Sequence, residues 1–267
     1  MIASPFLPFA QKYTEKSSIM CFRNSLTATV AEMENRFGAV FESNVPEIQP
    51  IYHANGFEFP TWPIVTAQAP QTFKSAHWGL IPRWAKSMQE AQELRQGTLN
   101  AKIETLEEKP SFKYALQNAQ RCLIPSTGFF EWQTVGKQKY PYFIHLRSQS
   151  LFAMAGLWES WQNPHQPSDI WHTFSVITTE ANPLMAKIHN TKQRMPVILL
   201  PGTESIWLQT NVNSSLLEQI GEPLDEKLME AYTISKMISN PKANSNVPTI
   251  IQPMIYPELS QQQLRLF

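Results

Sequence analysis

Short alternating or wholly apolar runs, separated by turn residues, predict more strands than helices in this chain. A turn around Val135-Gly136-Lys137 predicts that the strands on either side of it form a hairpin. The predicted strands cover residues 73–78, 121–124, 128–133, 141–146, 151–158, 172–178, 194–200 and 231–235.

Helical periods and capping residues predict fewer helices, most of them short. Thr29 and Glu32 have the spacing of a capping box, and Gly38 follows where such a helix would end. Asn182 is a candidate N-cap for a further helix. The predicted helices cover residues 30–37, 85–96, 110–120 and 182–188, with helical pieces between 203 and 230.

Strands that outnumber helices and do not alternate regularly with them favour an α+β fold in one domain. Five prolines between residues 45 and 70 indicate extended pieces and turns, and Asn55-Gly56 is typical of a hairpin turn. After Lys236 the composition turns to Asn, Ser, Pro and Gln, which predicts a loose tail. We therefore expect an N-terminal extension at 1–20, a domain at 21–240 and a C-terminal tail at 241–267.

Composition fits an ordinary globular protein, with 42% hydrophobic and 16% charged residues. The formal net charge is zero, so any nucleic-acid site must come from a local cluster of Lys and Arg. Cys21 and Cys122 make no disulfide framework, and no cysteine or histidine spacing is typical of zinc. No metal, no cofactor and no membrane span are expected.

The first 19 residues contain an apolar run, but it is interrupted by prolines and followed, rather than preceded, by positive charge. A secretory signal has the reverse order, and a lipoprotein signal has a small residue where Met20 precedes Cys21. The segment is expected to be a disordered extension, a removed segment or the product of a start codon assigned too early. A cytoplasmic, nucleoid-associated monomer is expected.

Four motifs occur in a fixed order between residues 20 and 196. They are Met20-Cys21-Phe22-Arg23, Asn100-Ala101-Lys102-Ile103-Glu104-Thr105, Gly128-Phe129-Phe130-Glu131-Trp132, and His189-Asn190 with Arg194-Met195-Pro196. Together they resemble the SRAP family, named for SOS-response-associated peptidases. The resemblance implies a curled, barrel-like, mostly antiparallel sheet with helices packed around it. It also implies a mature chain that begins with Cys21 and bonds covalently to abasic sites in single-stranded DNA.

An N-terminal cysteine has the chemistry for such a bond. Its α-amine and thiol have pKa values near ~8 and ~8.5, so both are partly reactive at neutral pH. An aldehyde that condenses with the amine gives an imine, and the thiol then closes a five-membered thiazolidine ring. A cysteine inside a chain cannot react in this way, because its nitrogen is an amide.

Three further residues are catalytic candidates. Glu131 lies among aromatic residues on a predicted strand, where burial would raise its pKa and suit it to proton transfer. Histidine as a residue type is suited to acid–base work at neutral pH, and His189 has a supporting motif that the other histidines lack. By resemblance Glu131 is the family's catalytic glutamate, and Asn100 holds the reacting nucleotide.

The remaining candidates concern DNA. Aromatic residues interleaved with Arg, as in the loop at 78–84, suit single strands, whose bases stack on rings. Glu104 is expected to pair with a nearby cation. Three features depart from the family pattern: Phe22 replaces Gly, Lys102 replaces Arg, and Thr191-Lys192-Gln193 is inserted before Arg194. The predicted DNA-binding residues are Arg23, Trp78, Arg83, Trp84, Lys86, Lys102, Thr178 and Arg194.

Three function classes follow from these residues. The first is an abasic-site processing protein that crosslinks itself to DNA, with lyase or self-cleaving activity as accompanying possibilities. The second is a peptidase or amidohydrolase with an N-terminal cysteine nucleophile. The third is a binding module for single-stranded DNA that makes no covalent bond.

Overall fold

A computed structural model describes residues 21–42, 48–209 and 213–259 of the chain. These residues form a single α+β domain in which antiparallel strand pairs predominate, as the sequence predicts. The N-terminal extension expected at residues 1–20 lies outside the described residues.

The strands are numbered in chain order. Within the described residues they are β1 (Arg23–Leu26), β2 (Val40–Phe41), β3 (Ile51–Asn55), β4 (Thr61–Thr66), β5 (Ala69–Trp78), β6 (Asn100–Lys102), β7 (Arg121–Ser126), β8 (Gly128–Val135), β9 (Gln138–Leu146), β10 (Phe152–Gln162), β11 (Ile170–Glu180), β12 (Arg194–Pro196), β13 (Ile198–Leu199) and β14 (Met229–Thr233).

Helices are fewer than strands among the described residues. They are α1 (Val30–Phe37), α2 (Met88–Gly97), α3 (Pro110–Gln117), α4 (Pro183–Ile188), α5 (Thr203–Trp207) and α6 (Ser214–Gly221). Single 3-10 turns occur at Gly56–Glu58, Ile103–Thr105, Glu226–Leu228, Lys236–Ser239, Pro248–Ile251 and Pro257–Leu259.

The larger sheet closes on itself. Its strands follow the order β12-β11-β10-β7-β4-β5-β2, and β5 also pairs with β11 through Thr173–His77 and Phe174–Trp78. That pairing makes a ring of five strands, β11-β10-β7-β4-β5. Closure removes the unpaired edges that an open sheet would leave. The curled, barrel-like sheet implied by the family resemblance is confirmed.

Strand β10 is the centre of the core. All residues from Phe152 to Glu159 are buried, because the strand is covered on both faces. Gly156 is required there, since an added Cβ would lie 2.5 Å from Ile124 and 2.8 Å from the Cys122 sulfur. Cys122 is accordingly a core residue with no part in a surface site.

A smaller sheet carries the start of the domain. Its strands follow the order β14-β9-β8-β1-β3. The predicted hairpin at residues 135–137 is confirmed as the β8–β9 connection, with Val135 opposite Gln138. Strand β1 pairs antiparallel to β8, with Asn24 opposite Phe129. This register places the residues before β1 beside the middle of β8.

Capping residues fix two helices as predicted. Thr29 and Glu32 form the complete capping box of α1, and Gly38 closes it in the left-handed conformation with φ of 61°. Asn182 caps α4 by accepting a hydrogen bond from the Met185 N–H at 2.8 Å. Both helices therefore begin where side-chain chemistry supplies a partner for an otherwise unpaired N–H.

Four local predictions are wrong. Asn55-Gly56 is not a hairpin turn, because β3 and β4 belong to different sheets. Helix α2 begins at Met88 rather than at residue 85, with Ser87 as its cap. The predicted strand at 194–200 is two short strands, β12 and β13, which pair with β11 and β10 respectively.

The fourth correction concerns the segment after Lys236, which is packed through Leu259 rather than loose. Ile238, Ile250 and Leu259 are buried, and the Met254 N–H donates to the Thr233 carbonyl at 2.7 Å. A few apolar residues anchor this segment to the domain, although its overall composition is polar. Residues 260–267 lie outside the described part.

Candidate active site

Cys21, Glu131 and His189 come together from three separate parts of the fold. Cys21 lies two residues before the start of β1, Glu131 lies in the middle of β8, and His189 is the residue at which α4 ends. One sulfur, oxygen or nitrogen atom from each lies within 4.8 Å of the others. All three side chains are buried, with 4–5% of each residue exposed.

The backbone carbonyl of Arg194 holds two of the three residues. It accepts hydrogen bonds from Nδ1 of His189 at 2.9 Å and from the Cys21 thiol at 3.7 Å. The His189 Nδ1 lies 3.7 Å from Oε1 of Glu131. One oxygen therefore fixes the positions of the nucleophile and of the imidazole relative to the carboxylate.

The inserted residues before Arg194 fold into a tight turn. The N–H groups of Lys192 and Gln193 both donate to the His189 carbonyl, at 3.2 and 2.8 Å. Gln193 takes a positive φ of 51° to complete the turn. The insertion is thereby absorbed locally, and Arg194 still enters β12 beside β11.

Burial dominates the electrostatics of the pair formed by Cys21 and Glu131. Desolvation raises the pKa of the Cys21 thiol well above its ordinary value, and the nearby Glu131 charge raises it further. Desolvation also raises the pKa of Glu131, although the His189 charge and the Cys21 thiol oppose that rise. The thiol is therefore protonated at rest, and the carboxyl group is poised to exchange a proton with it.

One carboxylate oxygen of Glu131 makes no hydrogen bond among the described residues. This oxygen, Oε1, is buried. An unpaired buried carboxylate oxygen is costly, and such groups concentrate at functional sites. This oxygen faces His189 Nδ1 at 3.7 Å without a hydrogen bond and can accept one from a further partner.

Arg194 is an internal ion-pair partner. Its guanidinium makes a two-pronged contact with Glu104 at 2.7 and 2.9 Å and donates to the Thr178 carbonyl at 2.7 Å. The expected partnership of Glu104 with a cation is thus observed. Thr178 is fully buried, and its hydroxyl is bonded within this cluster. The contact with Glu104 offsets the charge of Arg194, which departs from the prediction of a free phosphate contact.

Asn100 and Lys102 lie on the short strand β6, which runs parallel to β11 with Lys102 opposite Thr178. The Asn100 side-chain oxygen is buried without a partner among the described residues, and Lys102 is exposed. Both line a cavity of about 320 Å³ together with Lys109 and Ser111 at the start of α3. This cavity joins an amide, two cations and a helix N-terminus.

Arg23 has partners that the sequence did not reveal. Its Nη1 contacts Nε2 of His53 at 3.1 Å and donates to the Ile238 carbonyl at 2.8 Å, and its guanidinium lies 5.1 Å from the Trp132 ring centre. Burial, followed by the Arg23 charge, lowers the pKa of His53 to about 3. His53 is therefore neutral and accepts from Arg23, a role without any local motif.

The loop at 78–84 is divided between core and surface. Trp78 is buried and its indole N–H donates to the Leu99 carbonyl at 2.8 Å, so its predicted role as a stacking platform is wrong. Trp84 is 42% exposed and donates to the Pro110 carbonyl at 3.3 Å. Arg83 lies over the Tyr114 ring, and Lys86 is exposed. Of these exposed side chains, Trp84 contacts Pro110, which lines the cavity at the start of α3.

Among the described residues, none of the helices combines the length and apolar character needed to cross a bilayer.

Comparison with known proteins identifies the relationship. The chain is 42% identical over 177 residues to "Abasic site processing protein YoqW" of Bacillus subtilis, covering 66% of this chain and 74% of that protein. It is 31% identical over 150 residues to "Abasic site processing protein HMCES" of Xenopus tropicalis, covering 49% of this chain and 43% of that protein.

Solved structures agree with these sequence relatives. A crystal structure of a Bacteroides thetaiotaomicron protein matches with a TM-score of 0.80 and 37% identity, over 88% of this chain and all of that one. A Bordetella bronchiseptica protein shares the fold at 22% identity, with a TM-score of 0.66 over 80% of this chain and all of that one. The model of the SOS response associated peptidase (SRAP) family matches residues 20–241, and the chain therefore belongs to that family.

Proposed function

We propose that this protein processes abasic sites in single-stranded DNA by forming a thiazolidine crosslink between Cys21 and the ring-opened sugar aldehyde. The names of its relatives as abasic site processing proteins support the substrate. The observation that carries the proposal is the convergence of Cys21, Glu131 and His189 within 4.8 Å in a buried site. A thiol, a carboxylate and an imidazole this close together support proton transfer around one reacting centre.

The first step uses the α-amine of Cys21, which is available once Cys21 is the first residue. Opening of the abasic sugar moves the hydroxyl proton at C1′ to the ring oxygen and frees an aldehyde. The amine attacks the aldehyde carbon, and loss of one water gives an imine. Glu131 and His189 are the groups within reach that carry protons in these steps.

The second step uses the thiol. Its sulfur adds to the imine carbon while its proton passes to the imine nitrogen by way of Glu131, which closes the five-membered ring. The raised pKa of the Cys21 thiol supports this order, because the resting thiol is protonated and the amine reacts first. Burial raises the pKa of Glu131, which makes its carboxylate a stronger base and suits it to take and return that proton. In the reverse reaction the carbon–sulfur bond breaks first and gives back the imine, with the proton returning from nitrogen to sulfur. Water then adds to the imine carbon and releases the amine and the aldehyde.

DNA contacts are proposed along exposed cations in the loop after β5 and on β6. Arg83, Lys86 and Lys102 offer charge to phosphates, and Trp84 offers an exposed ring for base stacking. Arg23 is beside Cys21 in sequence and reaches the lesion's phosphate in this scheme. Arg194 and Thr178 act from behind the site by holding the carbonyl that positions Cys21 and His189.

An abasic oligonucleotide distinguishes this proposal from the other two classes. Protein whose first residue is Cys21, verified by intact mass, should give a one-to-one adduct that survives denaturation. A non-covalent binding module gives no such adduct. A peptidase or amidohydrolase instead releases product from a peptide or amide substrate, without retaining DNA. Protein that keeps residues 1–19 and still forms a resistant Cys21 adduct contradicts the thiazolidine mechanism.

Variants test the order of the two steps. Cys21→Ser keeps the amine but lacks the sulfur, so its adduct should appear only after borohydride reduction of the imine. Glu131→Ala and His189→Ala should bind DNA but crosslink about 100- to 10,000-fold more slowly, the usual cost of losing a positioned acid or base. Glu159→Gln is a matched control, because Glu159 is also buried but lies on β10. Unchanged rates in both active-site variants would remove those residues from the mechanism.

A further inference from the structure

We infer that Cys21, Glu131 and His189 form a binding site for a thiophilic divalent cation of the Zn²⁺ class, and that this cation reversibly blocks the site. Sulfur, carboxylate oxygen and imidazole nitrogen are the three ligand types that Zn²⁺ takes in proteins. One atom of each type lies within 4.8 Å of the others. The spacing along the chain concealed this set, because its members lie on different elements and share no local motif.

The distances suit such an ion. Zinc bonds of ~2.3 Å to sulfur and ~2.0–2.2 Å to nitrogen and oxygen place tetrahedral ligand atoms about 3.4–3.6 Å apart. Glu131 Oε1 and His189 Nδ1 are already 3.7 Å apart. The three ligand atoms are now up to 4.8 Å apart, and side-chain movements of about 1 Å would bring them to these separations. No change of strand pairing is required.

A second observation points to an occupant. Glu131 is 5% exposed, and its Oε1 has no hydrogen-bond partner among the described residues. A divalent cation satisfies that oxygen and balances the two negative charges of a carboxylate and a thiolate in a buried space. As the metal–sulfur bond forms, the thiol proton leaves to solvent. Zinc is favoured over Mg²⁺ or Ca²⁺, which prefer shells made of oxygen alone.

His189 changes partner when the ion binds. Its Nδ1, which lies 3.7 Å from Glu131 Oε1, donates to the Arg194 carbonyl at 2.9 Å in the resting protein. Metal binding at Nδ1 replaces this hydrogen bond and moves the imidazole proton to Nε2. In a chain that begins at Cys21, as the proposed function requires, the α-amine becomes a fourth ligand and closes a five-membered N,S chelate. Because the metal and an abasic aldehyde then need the same sulfur and nitrogen, their binding is mutually exclusive.

Metal titration without DNA tests the site. Apo protein titrated with Co²⁺ should develop a thiolate-to-cobalt charge-transfer band that saturates at one ion per chain and disappears when Zn²⁺ is added. Cys21→Ser, Glu131→Gln and His189→Gln should each weaken Zn²⁺ binding by at least about 100-fold, since losing a supporting partner alone costs about 10- to 100-fold. The matched controls Glu159→Gln and His145→Gln should bind as the unchanged chain does.

Adduct formation on abasic DNA provides the functional test of metal binding. One equivalent of Zn²⁺ should suppress adduct formation on abasic DNA, and a chelator should restore it. Absence of the charge-transfer band in folded, reduced, unsubstituted protein overturns the inference, as does tight binding that survives Cys21→Ser. The titration contains no DNA, so it succeeds or fails independently of the crosslink. The cobalt band is measured on the unsubstituted protein. The test therefore remains decisive even if one of the variants fails to fold.

Discussion

The ion pair between Arg194 and Glu104 should be a measurable support for the active site. The Arg194 side chain is 10% exposed and that of Glu104 is 42% exposed. Fully buried pairs cost about 3–5 kcal/mol when one partner is removed, and exposed pairs contribute about 0–1 kcal/mol. A half-exposed pair with two short hydrogen bonds lies between these limits. We expect Glu104→Gln to lower the free energy of unfolding by about 2 kcal/mol at neutral pH.

The loss should depend on pH in a defined direction. Burial raises the pKa of Glu104, but the hydrogen bonds and charge of Arg194 outweigh it, and the pKa falls below its ordinary value of 4.5. A lowered folded-state pKa contributes stability above the unfolded value, and that stability is lost as the pH falls through the folded value. The difference between Glu104→Gln and the unchanged chain should therefore be constant from neutral pH to about pH 5.5 and shrink below pH 4.5.

Urea unfolding at several pH values measures this difference, and the adduct assay measures its effect on the site. Glu107→Gln is the control, because Glu107 is nearby and exposed and has no ion pair among the described residues. Crosslinking by Glu104→Gln should slow, since Arg194 carries the carbonyl that positions Cys21 and His189. A stability within 0.5 kcal/mol of the unchanged chain at neutral pH, or a loss that grows in acid, would refute the reasoning.

Three other substitutions have defined outcomes. Asn182→Ala should cost about 1 kcal/mol of stability and slow crosslinking, because its side chain caps the helix that ends at His189; urea unfolding and the adduct assay report both. Gly128→Ala should cost about 1–3 kcal/mol, since the new Cβ would lie 2.2 Å from Phe143, whereas Gly97→Ala meets no atom within 4 Å and should be nearly neutral in the same unfolding assay. Glu131→Gln should gain stability relative to the unchanged chain as the pH rises above 4.5. The pKa of Glu131 is raised in the folded state, so its ionisation opposes folding, and parallel urea curves at acid and neutral pH would show no divergence if this were wrong.

Local chemistry made much of the fold predictable. The capping box at Thr29, the cap at Asn182 and the hairpin at residues 135–137 depend on neighbouring residues, and all three are found. Closure of the barrel depends on β5 meeting β11, about a hundred residues later, and no local pattern encodes that pairing. Only the family resemblance anticipated it.

The candidate site also contains residues that the sequence predicted and residues that only the fold reveals. Motifs identified Cys21, Glu131 and His189, and the fold brings them together. Arg23 and His53 show the limit, because their contact depends on the β1–β3 pairing and gives His53 no motif of its own. Trp78 shows another limit: an aromatic residue beside arginines has the same sequence pattern whether it faces solvent or the core.

The wide separation of the site residues along the chain imposes an order of events during synthesis. Cys21 precedes the carbonyl that holds it by 173 positions. At about 5–20 residues per second, a ribosome needs roughly 9 to 35 s to make the intervening chain. For most of that interval the imidazole of His189 has not been made, and the Arg194 carbonyl is missing until its end. During synthesis the Cys21 thiol therefore meets cellular aldehydes, oxidants and metals without the hydrogen bond that holds it in the folded protein.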